Sequence, residues 1–512
     1  MMPQETSANN KRIAKNTALL YVRMLVMMAV SLYTSRVVLR VLGIDDFGIY
    51  NVVGGVVTMF AFLNSSMSIS VQRFLSFELG KKNEESQINI VYSVSFLIHV
   101  LIAAIIFLIT ESLGIFFLEE LNIPMGRQNA AHAIFHISVL TTCISVIQIP
   151  FTGLIIAKEK MDAYAYISIV EVFLRLALVY LLSVLPFDRL ICYAYLLLGS
   201  SIVVCFAYYL YCHYKISQVQ LAFFWDKTIV KRMLSFASYS LFGEVAWTAV
   251  GQGVTVTLNL FFPPAVNAAR AIAIQASCAI KKFVDNFQMA INPQIVKLYA
   301  AGERNDMLKL CYRGTRLSFY LLLLISAPFI FCADYILNIW LEEVPIYTTA
   351  FCILALLGFL FDILSNLLST VVKATGNIRT YQIIVSIVLF LNLPFSYLCL
   401  ALGFTPESVY WVYIIVSFAL LFVRLRLLRP MVGISIKDYC KSVLYPIIKT
   451  TLTALILPII IYWHVEHTVW NSFSLAMLSF LLISLSIYYL GLESEEKNFV
   501  RQKINIFLCK RK

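Results

Sequence analysis

Apolar stretches of about 20 residues, long enough to cross a bilayer core as helices, follow one another along nearly the whole of this 512-residue chain. About 14 of them can be counted at that length, beginning near Thr17, Gly48, Ile88, Ala131, Tyr164, Leu190, Leu234, Ala265, Tyr312, Thr348, Tyr381, Val409, Val443 and Ser472. In lipid every backbone polar group needs an internal partner, which leaves helices or closed barrels, and runs of this length select helices. The expected fold class is an all-α polytopic membrane protein. Composition agrees: 60% of residues are hydrophobic and 13% charged, against roughly 45–50% apolar residues in soluble domains. The eighth stretch, Ala265 to Ile291, is the weakest, because Arg270, Lys281, Lys282 and Asp285 interrupt it. It is expected to line an aqueous cavity.

A net charge of +12 raises the question of nucleic acid. The basic residues, however, fall in short clusters between apolar stretches and form no basic domain, so no nucleic-acid partner is expected. Topology accounts for them instead, since cytoplasmic loops carry the Lys and Arg excess. With the N-terminus inside, alternate loops hold Arg73/Lys81/Lys82, Lys158/Lys160, Lys215/Lys227/Lys231, Lys297/Arg304/Arg313/Arg316, Lys373/Arg379 and Arg424/Arg426/Arg429. The opposite loops are acidic, with Asp45/Asp46, Glu119/Glu120, Asp188, Asp334 and Glu342/Glu343. An even number of spans with both termini cytoplasmic follows. The short basic leader before the first stretch has no evident small-residue cleavage site and reads as part of a retained helix. The 11 cysteines are scattered, without a C-x-x-C pair, and read as small core residues.

An internal repeat emerges once the spans are numbered. Gln72, Gly80 and Asn83 at the end of span two recur as Gln294, Gly302 and Asn305 at the end of span eight, an offset of 222. Tyr164, Phe173, Leu174, Leu176 and Tyr180 recur as Tyr381, Phe390, Leu391, Leu393 and Tyr397, an offset of 217. Six spans separate equivalent positions, an even number, so the two halves are parallel repeats. The expected organisation is a six-helix lobe over 1–215, a second over 216–430 and two added helices with a tail over 431–512. Parallel repeats around a central cavity are a secondary-transporter plan.

No connection reaches the roughly 50 residues of a minimal domain, and there is no Walker A sequence. Gly251-Gln-Gly253 lacks the third glycine of a nucleotide loop and reads as helix packing. His464-Val-Glu466-His467 has metal-ligand composition but reads as a solvated outer turn. Neither an enzyme nor a cofactor or metal is expected.

The ionisable residues inside spans carry the positive signal, because each costs a few kcal/mol or more unless it faces protein or water. They are Arg23 and Arg36 in span one, Glu171 and Arg175 in span five, Glu244 in span seven, Arg270 in span eight and Asp362 in span ten. Glu171 and Arg175 are four apart and either satisfy each other or face a cavity. Arg36 lies near the outer end of its span, where its head can snorkel to the headgroups. Arg23 is about two turns beyond Lys15, roughly 12 Å at 1.5 Å per residue, and either contacts an anion or pairs with a buried carboxylate such as Glu244. A guanidinium suits phosphate, whose oxygens its planar fork engages bidentately. Arg23, Arg270, Arg36 and Arg175 are therefore the candidate anion contacts. Glu244, Asp362 and Glu171 are candidate counter-charges or proton sites.

At Arg40-Val-Leu-Gly43-Ile-Asp-Asp-Phe47-Gly48-Ile49-Tyr50 the chain resembles the junction of the first two spans in O-antigen and polysaccharide flippases of the multidrug/oligosaccharidyl-lipid/polysaccharide (MOP) exporter superfamily. The loops Ile155-Ile-Ala-Lys158-Glu-Lys160-Met161 and Val372-Lys373-Ala-Thr-Gly376-Asn377 resemble the connections after spans four and ten in that family. The resemblance implies a bacterial inner-membrane protein with two six-helix lobes around a cationic cavity, working by alternating access. Its implied substrate is an undecaprenyl-pyrophosphate-linked oligosaccharide, a repeat unit of O-antigen, capsule or exopolysaccharide. Membrane lipids are implied partners, with a polysaccharide polymerase and other assembly proteins beside them. The alternatives are a cation-coupled multidrug exporter of the same superfamily, which needs acidic cavity residues, and a membrane-embedded polymerase or ligase, which needs a large outer loop.

Overall fold

The computed structural model describes residues 3–501 apart from 43–45, 47–48, 51–60, 82–84, 120–124, 183, 185, 217–218, 223, 342–343, 467, 495 and 499–500. Among the described residues there are helices and no strands. In chain order they are α1 (Pro3–Leu42), α2 (Ala61–Gly80), α3 (Glu85–Glu119), α4 (Gln128–Ala157), α5 (Met161–Leu182), α6 (Arg189–Lys215), α7 (Lys227–Phe261) and α8 (Pro264–Ala300). They continue as α9 (Arg304–Trp340), α10 (Thr348–Thr375), α11 (Arg379–Phe390), α12 (Asn392–Ala401), α13 (Ser408–Val432), α14 (Ile436–Tyr439), α15 (Tyr445–His464) and α16 (Val469–Ser486). Eleven stretches of helix among the described residues are long and apolar enough to cross a membrane. Three further long helices, α2, α7 and α8, are not among them. The start of the second apolar stretch, near Gly48, lies outside the described residues.

Helix ends follow local chemistry. Asp188 caps α6 by accepting from the Leu190 and Ile191 amides, and Thr468 caps α16 by accepting from Asn471, each filling orphan donors of a first turn. Pro263 and Pro264 separate α7 from α8: proline stops a helix, yet suits the first turn of the next. The eleventh apolar stretch, read from sequence as one span, is one span over Arg379–Ala401, its helix interrupted at Leu391. Pro394 lacks the amide that would bond to the Phe390 carbonyl, so the helix restarts.

The chain forms two compact units. One comprises residues 1–245, 289–303 and 376–379; the other comprises 246–288, 304–375 and 380–512. In the first, α4 is the central helix, packed by α2, α3 and α6, while α1 lies on α5. Ala131, Ile134, Phe135 and Val139 of α4 meet Leu182, Leu190 and Tyr193 in its core. In the second, α10 is central, between α9 and α13, and two-thirds of its span is buried. The outer faces are apolar, with Val22, Leu108 and Val170 more than half exposed, as lipid contact requires. Trp463 and Trp470 flank the turn between α15 and α16 at 81% and 80% exposure, in the manner of an interfacial aromatic belt.

Two charge clusters read from sequence as loop charges are built into this packing. Arg316 is 3% exposed within α9 and forks between Glu493 at 2.8 Å and Glu496 at 3.2 Å, with Arg313 Nε 2.6 Å from Glu496. In the first unit Arg127 bridges Asp46, at 2.8 Å, and Asp188.

Candidate substrate cavity

The second unit holds a partly open cavity of about 250 Å³ between α7, α8, α10, the α11/α12 break and α13. Its wall is mostly apolar, built by Val250, Val254, Ile274, Ala355, Phe359 and Leu389. Polarity enters at a few points, through Arg270, Asn392, Tyr410 and Tyr413. Arg270 is the sole charged side chain among the described lining residues.

Local sequence explains its position. Pro264 starts α8, and Arg270 lies six residues on, about 9 Å along the helix at 1.5 Å per residue, with Ala269 and Ala273 buried at the packed face. The guanidinium Nη1 donates to Thr255 Oγ1 at 2.5 Å and Nη2 to the Gly251 carbonyl at 3.1 Å. Its Nε is buried without a protein partner. The hydroxyl of Tyr410, 7% exposed, is likewise unpartnered. Buried polar groups are normally hydrogen-bonded, so these two are donors without an acceptor. Asn392 sits at the start of α12, where the break at Pro394 places it, and its Oδ1 accepts from Ser396 at 3.1 Å.

Gly251-Gln-Gly253 divides its work between two faces of α7. A Cβ at Gly253 would lie 2.6 Å from Leu393 Cδ2, so that glycine serves close packing. A Cβ at Gly251 would meet nothing within 4 Å, and this glycine lines the cavity. The sequence reading of both as packing residues holds for Gly253 alone.

Asp362, on α10, accepts from the hydroxyl of cavity-lining Tyr413. Below it Arg424 Nη1 donates to Ser365 Oγ at 2.6 Å. The carboxylate is thus one side chain removed from the cavity, coupled to it through a phenol.

The other expected residues are placed differently. Arg23 rests on Tyr164, its guanidinium carbon 4.4 Å from the ring centroid and Nη2 3.3 Å from the hydroxyl. Its Nε is buried and unpartnered. Among the described residues Arg23 forms no ion pair, so the pairing with Glu244 considered from sequence is not made here; cation–π attraction to tyrosine takes its place. Glu171 and Arg175 do satisfy each other, at 2.7 Å, on a partly exposed face of α5. The side chain of Arg36 lies outside the described residues. His464 Nδ1 is 2.8 Å from the Ile460 carbonyl at the end of α15, and His467 lies outside the described residues. Tyr410 and Asn392 escaped sequence reasoning because neutral residues in an apolar run give no signal. Only the Asn392-Leu-Pro394 triplet marks a helix break.

A family model described as polysaccharide biosynthesis protein matches residues 13–299, and a second, MatE, matches residues 255–398. No curated protein matches the chain. Among solved structures, a MOP superfamily transporter from Pyrococcus furiosus, described as having a binding pocket of reverse polarity that suggests a different function, is similar at 13% identity. The match covers 82% of this chain and 96% of that one, with a TM-score of 0.70. A MATE crystal structure in a bent conformation matches at 13% identity over 85% of this chain and 97% of that one, with a TM-score of 0.73. The MATE transporter ClbM in complex with Rb+ matches at 16% identity over 83% and 96%, with a TM-score of 0.63.

Proposed function

Since the chain belongs to the polysaccharide biosynthesis protein family and is a transporter of the MOP superfamily, we propose that it flips a lipid-linked oligosaccharide across the bacterial inner membrane by alternating access. The carrier is undecaprenyl pyrophosphate, and the cargo is a repeat unit of a surface polysaccharide. One observation carries this reading: among the described residues, the cavity of the second unit has an arginine as its only charged lining residue, with Nε and the Tyr410 hydroxyl free of protein acceptors. A buried guanidinium is always charged and presents donors in the fork that phosphate oxygens match. Taking a pyrophosphate out of water without such donors is prohibitive. Arg270 holds the anionic headgroup within the second unit, and Arg23, which has no carboxylate partner among the described residues, offers a second cation within the first.

A second reading, a MATE-type exporter of cationic compounds, draws on the MatE match over residues 255–398. The cavity charge opposes it, since Asp362 reaches the lining only through Tyr413. Surface-glycan display in a deletion strain complemented with the parent chain, with Arg270→Ala and with Arg23→Ala separates the two. The flippase reading expects normal membrane insertion and lost glycan display in both variants. Normal glycan display in both, or a drug-sensitive deletion strain with intact surface glycan, would overturn it.

A further inference from the structure

Glu159 is a charged residue in a backbone conformation that L-residues avoid, with φ +59°. The offset of 217 that relates Tyr164 to Tyr381 relates Glu159 to Gly376, whose φ is +79°. The connections after α4 and α10 thus make the same left-handed turn, once with the glycine that suits it and once with a glutamate. At Gly376 a Cβ would lie 2.5 Å from Arg73 Nη2, so the end of that side chain would have to shift to admit one. At position 159 the strain is retained, which calls for surroundings that over-determine it.

Those surroundings are ionic. The Glu159 carboxylate, 1% exposed, takes Arg12 Nε at 2.9 Å and Lys297 Nζ, and accepts from Gln294 Nε2 at 2.6 Å. Asn16 Nδ2 donates to its carbonyl at 3.4 Å. Burial pushes the Lys297 ammonium below its ordinary value, while Glu159 pulls it upward. Arg12, Asn16 and Glu159 come from the first half of the repeat and Gln294 and Lys297 from the second, and all lie within one compact unit. Beside them the end of α2 touches the end of α8: a Cβ on Gly80 would lie 2.6 Å from Lys297 Cα and 2.8 Å from Ala300 Cβ. Ser76, one turn back along α2 on the Gly80 side, is fully buried.

We propose that Glu159 is an ionic latch that holds the cytoplasmic end of α8 against the first-half helices α1 and α2 in one state of the transport cycle and releases it in the other. This rests on the alternating-access reading above. A carboxylate buried with two cations is stable only while all three remain together, since separating them leaves charges unpaired. The latch is therefore two-state, as a gate requires.

The test reads opening without any substrate. The full chain carrying Ser76→Cys, in lipid nanodiscs, is treated with a maleimide, and labelling is resolved residue by residue by mass spectrometry. Slow labelling at position 76 is expected with the latch intact. A rise of about tenfold or more is expected with Glu159→Gln, Glu159→Gly or Lys297→Met. Cys311 and Cys352, both fully buried in the other unit, stay protected if only the latch has opened. Equal rates at position 76 in the parent and the Glu159 variants overturn the proposal, as does simultaneous labelling of Cys311, which means unfolding. Failure here leaves the glycan-display result standing, and lost glycan specificity leaves the labelling result standing.

Discussion

The Arg270 guanidinium is hung on the main-chain carbonyl of Gly251, 3.1 Å from Nη2, one α-helix holding the charge of the next. Gly251 does this while keeping its own side-chain position empty, with no atom within 4 Å of a would-be Cβ. Gly251→Leu therefore sets its Cβ in open space and is expected to extend into the cavity, and replacing a helix glycine contributes about 1 kcal/mol. The thermal midpoint of the purified protein should hold or rise while glycan display is lost. Gly253→Leu should do the reverse to stability, since Leu393 occupies that space. Parental glycan display from Gly251→Leu would remove the cavity from the transport path.

Arg23 depends on Tyr164 for both ring and hydroxyl contacts. Cation–π contact contributes about 0.5–2 kcal/mol according to its desolvation, whereas a neutral hydroxyl acceptor at 3.3 Å contributes less. Tyr164→Phe should keep near-parental glycan display in the complementation assay, and Tyr164→Ala should lose it as Arg23→Ala does. If Tyr164→Ala is silent while Arg23→Ala is defective, the tyrosine platform does not position the guanidinium.

Much of this architecture was legible in sequence because the bilayer imposes a length on each element. The apolar runs mark α4, α6, α9 and α10 unambiguously, and the charge of Arg270 inside such a run marks the cavity. Spacing of four residues likewise exposes the Glu171–Arg175 pair. Loop charge, by contrast, reports the side of the membrane and is blind to partners. Arg316 and Lys297 therefore read as topological markers, although they are bound to Glu496 and Glu159. The left-handed backbone of Glu159 is invisible without its alignment to Gly376. Tyr410 gives no signal at all, since an aromatic residue in a span is ordinarily core.

Arg175 and Glu171 form an i,i+4 pair with side chains 45% and 22% exposed. Such pairs contribute about 0.2–0.5 kcal/mol, and each partner satisfies the other. Arg175→Gln should leave glycan display at the parental level and shift the thermal midpoint little. A transport defect that Glu171→Gln does not share would instead give Arg175 a ligand of its own.

The Arg316 cluster separates a buried ion pair from an exposed one on a single guanidinium. Glu496, 4% exposed at its side chain, is held by Arg316 and Arg313; Glu493, also held by Arg316, is 64% exposed. Glu496 Oε2 further accepts from the Glu493 amide at 2.8 Å, closing the turn after the last helix. Removing one member of a buried pair costs about 3–5 kcal/mol, whereas an exposed pair contributes about 0–1 kcal/mol. Glu496→Ala should therefore lower the thermal midpoint strongly and Glu493→Ala hardly at all. Arg316 Nη1 also reaches the Ser442 carbonyl at 3.3 Å, so the cluster pins the start of the α14/α15 pair to α9. Limited proteolysis should then cut the C-terminal segment after Lys497 or Arg501 faster in Glu496→Ala than in Glu493→Ala. Equal stability and equal cleavage in the two variants would mean that solvent reaches Glu496 and that the pair anchors nothing.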